Sequence, residues 1–295
     1  MTEHSGVVVR ARLVFSYDGT EFSGWARQPN LRTIEDEFEQ ALAKIVRDPK
    51  TGASLNPRIT VAGRTDAGVH ARQQVAHVDV PLEAWERVPG QTGRTPADAL
   101  RAKLDALAPD DVLIHDVTEA PPGFDARFSA TERRYAYRIC DVRELRDPLM
   151  RRHVLFSDDS LDLEALNAAS ATLLGLRDFA PFCRPREGAT SIRELKEFSW
   201  SRVKVGPDAG LVVATVRADA FCHSMVRSLV GAVLPVGSGR RDLDWLAIVA
   251  SGRERSSAIS VAPAHGLTLE QVSYPADAEL GARAEVTRAR RESLN

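Results

Sequence analysis

At 295 residues, with 43% hydrophobic and 27% charged, the chain is long enough for two ordinary domains, each with its own core. No apolar run approaches bilayer length and the start MTEHSGVVVR lacks the core of a signal peptide, so a soluble cytoplasmic protein is expected. The formal net charge of -2 excludes a globally basic coat. Three separated cysteines without a CxxC pair argue against a disulfide framework or zinc knuckle, so reduced thiols are expected.

Val7, Val9, Ala11, Leu13, Phe15 and Tyr17 alternate with mostly polar neighbours, the period of a half-buried strand. Thr33 is placed to cap a helix that gathers Ile34, Phe38, Leu42 and Ile45 on one face. RITVA and QVAHVDV read as strands on either side of a GRTDAG turn. Thr95-Pro96 opens a helix with Leu100, Leu104 and Leu107 inward, and DVLIHDV closes the half as a strand.

After EAPPGFDARFSA the order begins again. RRYAYRICDV reads as a strand, SLDLEALNAASATLLG as a helix ended by Gly175, and RELKEFSWSRV and LVVATVRAD as strands. AFCHSMVRSLVGAVLPVG then reads as a helix and GLTLEQVSYP as a strand. The expected class is α+β: two similar split-βαβ, ferredoxin-like halves whose antiparallel sheets form a central catalytic cleft, with helices outside. The expected bounds are 1–120 for the half with the GRTDAG turn, 121–275 for the second half, and 276–295 as a mobile tail without a strong apolar stripe. PDAG, RPREG and GSGRRD read as loops.

The turn carries more chemistry than a chain reversal needs. Asp66 stands two residues after Arg64, between glycines that let backbone approach a ligand, and a carboxylate beside a cation suits a nucleophile or base. An Asx-turn that only bonds its own backbone is the alternative. In AFCHSMVRSLVG, Met225, Val226, Leu229 and Val230 make a buried face and Arg227 points elsewhere, to pair either with a helix carboxylate or with Asp66. In ERRYAYR, Tyr135 at the strand start can stack on a base, Tyr137 reads as core, and Arg134 lies on the opposite face. Arg133-Arg134, Arg151-Arg152, Arg184 with Arg186, and Arg240-Arg241 are either solvated faces or parts of a phosphate-binding groove. His70 and His77 invite a metal, but their spacing crosses a strand and no carboxylates cluster with them. His70 is expected to support the turn and His77 to lie on the sheet face.

With YDGTEFSGWARQ, AGRTDAGVHA followed by QVAH, ARFSATERRYAYRI, DFAPF ahead of Arg193, FCHSMVRSLVG and APAHGLTLEQVSYP, the sequence resembles the tRNA pseudouridine synthase A family from Tyr17 to Pro275. The resemblance implies an isomerase that detaches the uracil of a tRNA uridine, turns it and rejoins it through carbon 5. It implies the anticodon stem-loop, positions 38–40, as target, a homodimer bound to tRNA, and no metal or organic cofactor. It also implies catalytic roles for Asp66, Tyr135 as the base-stacking ring, and Arg227 as the partner of the aspartate, with Arg64, Arg134 and Tyr135 on the substrate. Gln73, Cys222 and the long polar segment from Glu83 to Pro96 depart from the family pattern. The competing readings are a metal-dependent nucleotide or phosphodiester hydrolase built on Asp66, His70 and His77, and a non-catalytic RNA-binding module.

Overall fold

The structure, a computed structural model, describes residues 7–186, 188 and 190–292, with side chains to Ala289. Glu187 of the expected RPREG loop and residues 293–295 of the expected tail lie outside the described residues. The chain forms two compact units, one built on residues up to Ala130 plus Tyr274–Arg288, the other on Thr131–Ser273. The division thus falls at Ala130 and Thr131 rather than at 120 and 121, and Tyr274–Arg288 returns to the first unit.

In the first unit β1 (Val8–Tyr17) buries Ala11, Leu13, Phe15 and Tyr17 on one face, as its alternation requires. The amphipathic α1 (Ile34–Ile45) lays Phe38 against Phe15, ring centroids 4.5 Å apart, and carries Glu35, Asp36 and Glu37 where the helix dipole favours acid. Thr33 holds the N-cap position without a side-chain cap bond. Then come β2 (Ile59–Val61), β3 (His70–Pro81), α2 (Leu82–Arg87), α3 (Pro96–Leu107) and β4 (Val112–Glu119). The strands pair antiparallel in the order β4-β1-β3-β2. Thr95 does cap α3, accepting from the Asp98 N–H. Leu107, expected inward, is 43% exposed: it ends the helix, and the chain turns extended at Ala108. The helix α2 is too short for a periodicity signal. Its anchor is buried Trp85, whose Nε1 donates to Glu119 at 2.9 Å.

The second unit contains β5 (Glu132–Cys140), β6 (Leu155–Phe156), α4 (Leu163–Ala171), β7 (Gly175–Asp178), β8 (Ile192–Arg202), β9 (Val212–Ala218), α5 (Met225–Gly237), α6 (Leu243–Ala250) and β10 (Leu267–Ser273). Its antiparallel order is β10-β5-β9-β8-β7, and the short β6 joins the end of β5 in parallel. Leaving out the short β6 and the added edge strand β7, both units place their last strand beside the first, then the third, then the second. That shared order is the duplicated split-βαβ plan. Gly175, at φ 97, opens β7 instead of ending α4. The helix expected from Ala220 starts at Met225, because Ser224 sits in the left-handed region at φ 62 and breaks it off from AFCHS.

The expected mobile tail is instead a helix over most of its length, α7 (Leu280–Glu292). Leu280 and Ala284 are buried, the Ser129 hydroxyl donates to the Leu280 carbonyl at 3.0 Å, and Arg288 pairs with buried Asp125 at 2.7 Å. The helix approaches the 121–125 turn closely, since a Cβ on Gly123 would lie 2.8 Å from Gly281 Cα. Two small apolar contacts and polar anchors leave almost no apolar stripe in the sequence, which is why composition alone suggested a tail.

Candidate active site

The GRTDAG turn joins β2 to β3, and the segment after β1 supports it. Trp25 N–H donates to the Thr65 carbonyl at 3.0 Å, Gly68 N–H to Phe22 at 3.2 Å, and within the turn Val69 N–H to Asp66 at 3.2 Å. Two glycines of YDGTEFSGW make this contact possible. A Cβ at Gly19 would overlap the Val69 carbonyl, and Gly24, at φ 89, leaves only 3.0 Å to the Thr65 carbonyl and 3.2 Å to the Asp66 carbonyl carbon. The result is a turn whose backbone is fixed on both sides, with Asp66 half-buried and Arg64 exposed.

Beneath the turn lies a buried polar chain. The Gln74 amide donates to the Gly63 carbonyl at 2.9 Å and to the Tyr17 phenol at 3.3 Å, and that phenol is 2.8 Å from the Thr65 hydroxyl. Burial pushes the Tyr17 phenol up to about 12, partly offset by its bonds to Thr65 and Gln74, so it is a neutral hydroxyl at any working pH. His70 supports the turn as expected, its Nδ1 accepting from Gly19 N–H at 3.0 Å. His77 lies on the sheet face, its Nδ1 accepting from Ala126 N–H at 3.0 Å. Among the described residues no three His, Cys, Asp or Glu side chains are grouped to hold a metal ion.

The other expected site residues belong to the second unit. Tyr135 on β5 is 6% exposed, paired with Leu269 and Val216 on the neighbouring strands, and its ring stands perpendicular to that of Phe221, centroids 5.2 Å apart at 89°. Arg134 points the other way, exposed, and donates to Gln271 Oε1 at 3.3 Å. Its neighbour Arg133 is buried and donates to the Asp219 carbonyl at 2.8 Å, so that pair divides between structure and surface. Arg227 leaves the buried face of α5, as its place in the apolar helix requires. Its Nε donates to the Ala262 carbonyl at 2.7 Å, while Ala262 N–H donates back to the Arg227 carbonyl at 3.1 Å. Tyr137 is core, donating to the Pro263 carbonyl at 2.9 Å; burial raises its phenol well above the ordinary value and the Arg227 charge opposes this. The arginine clusters do not share one fate. Arg184 and Arg186 are exposed, whereas Arg240 pairs with Asp159 at 2.9 Å and Arg241 lies over Trp245.

The thiols depart from expectation. Cys183 and Cys222, with Cα atoms 5.7 Å apart, are joined as a disulfide, and only Cys140 is free among the described residues. The sequence hides this because the partners are 39 residues apart and meet only when β8 and β9 bring the ends of their connections together. Sequence reasoning also missed Tyr17 and Gln74 as parts of the turn's support. The available signal was a glutamine directly before the apolar pair Val75-Ala76 of the strand.

The first unit thus carries Asp66 on a glycine-braced turn, and the second carries Tyr135, Arg134 and Arg227. The model of the family described as tRNA pseudouridine synthase matches residues 13–129 and 169–275. The chain belongs to this family, isomerases that convert uridine of tRNA to pseudouridine. It is 51% identical to the tRNA pseudouridine synthase A of Streptomyces avermitilis, covering 96% of this chain and 94% of that protein. The Leifsonia xyli subsp. xyli protein of the same name is 50% identical over 96% of this chain and 97% of its own. A third protein of that name, from Bifidobacterium longum, is 47% identical over 96% and 99%.

Proposed function

We propose that this isomerase acts on uridines 38–40 of the anticodon stem-loop, as a cytoplasmic homodimer, and that Asp66 carries the reaction. Its carboxylate attacks the ribose or the base, or takes a proton, while the bond from C1′ to N1 breaks. The uracil then turns, C5 bonds to C1′ as any bond to the carboxylate is released, the proton on C5 leaves and N1 takes one up. Reactant and product have the same atoms, so the cycle consumes no redox partner. Tyr135 stacks on the base taken out of the RNA, which offsets the few kcal/mol, roughly, that unstacking costs. Arg227 supplies a cation for the reaction, and Arg64 and Arg134, both exposed, contact the RNA. Localised arginines of this kind let a chain of net charge -2 bind a polyanion.

The observation that carries this reading is the Asp66 turn, held on both sides by backbone bonds and close-packed glycines within the stretch that the family model matches. The experiment is to incubate the protein with unmodified tRNA transcripts, in EDTA and in magnesium, and map pseudouridine by position. Pseudouridine at 38–40 under both conditions is expected. Pseudouridine only at other positions overturns the assignment of the target, and activity restored only by zinc or manganese on folded RNA overturns the metal-free chemistry.

A further inference from the structure

We infer that Gln74, Tyr17 and Thr65 form a positioning relay that sets the height and angle of Asp66 from inside the protein. The inference rests on the reading of Asp66 as the catalytic carboxylate and assigns the relay no contact with RNA. Three observations carry it. First, all three side chains are buried, at 0%, 4% and 6% exposure, so none is available to solvent or substrate. Second, the bonds run in series toward Asp66: Gln74 spends one amide hydrogen on Gly63 and the other on Tyr17, and Tyr17 reaches the hydroxyl of the residue adjoining Asp66. Third, the backbone of that same residue is fixed separately, its carbonyl by Trp25 N–H at 3.0 Å. Thr65 is therefore held at two points, by main chain and by side chain, and the peptide that leads into Asp66 has little freedom left.

Such an arrangement costs buried polar groups and is worthwhile only where geometry matters. A strand and turn that merely needed stability would place apolar side chains at 17 and 74, as the chain does at Phe15, Val75 and Ala76. A displacement near 1 Å at a reacting group is worth up to about 10²-fold in rate. The relay thus acts on kcat through Asp66, whereas a defect in folding or RNA contact acts on melting temperature or KM.

The test is steady-state and single-turnover kinetics on tRNA for Tyr17→Phe, Thr65→Val, Thr65→Ser and Tyr17→Phe/Thr65→Val, with thermal melts and Asp66→Asn alongside. Tyr17→Phe and Thr65→Val are each expected to lower kcat about 10- to 100-fold with KM within about twofold. The double variant is expected to be no slower than either single one, because both cut the same relay. Thr65→Ser keeps the hydroxyl and is expected to recover most of the rate lost in Thr65→Val. A normal kcat for Tyr17→Phe and Thr65→Val beside an inactive Asp66→Asn overturns the relay and leaves the role of Asp66 standing. Full turnover by Asp66→Asn overturns that role instead. Additive losses, or losses that follow melting temperature or KM, reduce the three residues to ordinary packing and overturn the inference.

Discussion

Each unit carries an Asp-Ala-Gly turn at the same place in its fold. Asp66-Ala67-Gly68 lies in the connection from β2 to β3, and Asp208-Ala209-Gly210 in the connection from β8 to β9. The local geometry is nearly the same. Val69 N–H donates to Asp66 at 3.2 Å and Leu211 N–H to Asp208 at 3.1 Å, and the glycines have φ of 76 and 87. What differs is the strand alongside. In the first unit β1 offers Tyr17, a neutral phenol that binds Thr65, the residue before the aspartate. In the second, β5 offers Arg138, 4% exposed, which pairs with Asp208 at 2.8 Å and Glu270 at 2.8 Å, both partly buried. Two turns of like sequence and backbone thus rest on different support, a phenol under one and an arginine under the other.

The largest contrast is expected from the paired variants Asp66→Asn and Asp208→Asn. Asp66→Asn keeps the shape and loses the charge, so pseudouridine formation is expected to fall below detection while tRNA binding stays within a few fold. Asp208→Asn is expected to keep turnover at temperatures where it is folded and to lose stability, up to about 3–5 kcal/mol by denaturant melts, with Glu270 retaining part of the pairing. Equal turnover by the two variants would erase the distinction between the turns.

The second unit has its own part in the chemistry to be tested at Tyr135. Alanine is expected to cut single-turnover rates severely. Phenylalanine, which keeps the ring and its Phe221 contact, is expected to bind RNA normally yet react slowly, by about 10²–10⁴-fold, if the hydroxyl also takes the C5 proton. Near-normal rates for both, in variants shown to be folded by circular dichroism, would make Tyr135 a strand residue and nothing more.

A smaller effect separates the two units by their cross-link. The Cys183–Cys222 bridge closes a long loop in the second unit, so Cys222→Ser is expected to lower the stability of the oxidised protein by about 3–4 kcal/mol and to change nothing in reductant. Melts with and without reductant measure this, and an unchanged oxidised melting curve would show that the bridge adds no stability. The first unit has no cysteine among its described residues.

The smallest expected effect is a pH dependence confined to the first unit. Burial, with the charge of Arg10, holds the His77 imidazole below its ordinary value. Below about pH 6.5 the unfolded chain therefore takes up a proton that the folded one refuses. Stability from this group is complete above that pH and is lost as pH falls through it toward the lowered folded value. Thermal melts between about pH 7.5 and pH 5.5 are expected to drop further for wild type than for His77→Asn, whose amide oxygen can still accept from Ala126. Parallel drops would assign the pH sensitivity elsewhere.

By itself the sequence determined the longer strands and helices of each unit, though not α2, β6, β7 or α6, because the alternation of Val9 to Tyr17 and the helical face of Ile34, Phe38 and Leu42 are local patterns that burial of one face enforces. It also determined the chemistry concentrated at Arg64–Gly68, since those residues are neighbours in the chain. It did not show α7, whose hold on the first unit is Arg288 on Asp125, nor the bridge between Cys183 and Cys222, nor the burial of Gln74. Only the tertiary structure decided that of two like Asp-Ala-Gly turns one is locked by Arg138, 70 residues away, while the other rests on Tyr17. Local spacing specifies which groups a turn carries. Charge pairing and burial at long range specify what supports the turn, and those depend on strands that the sequence places far apart.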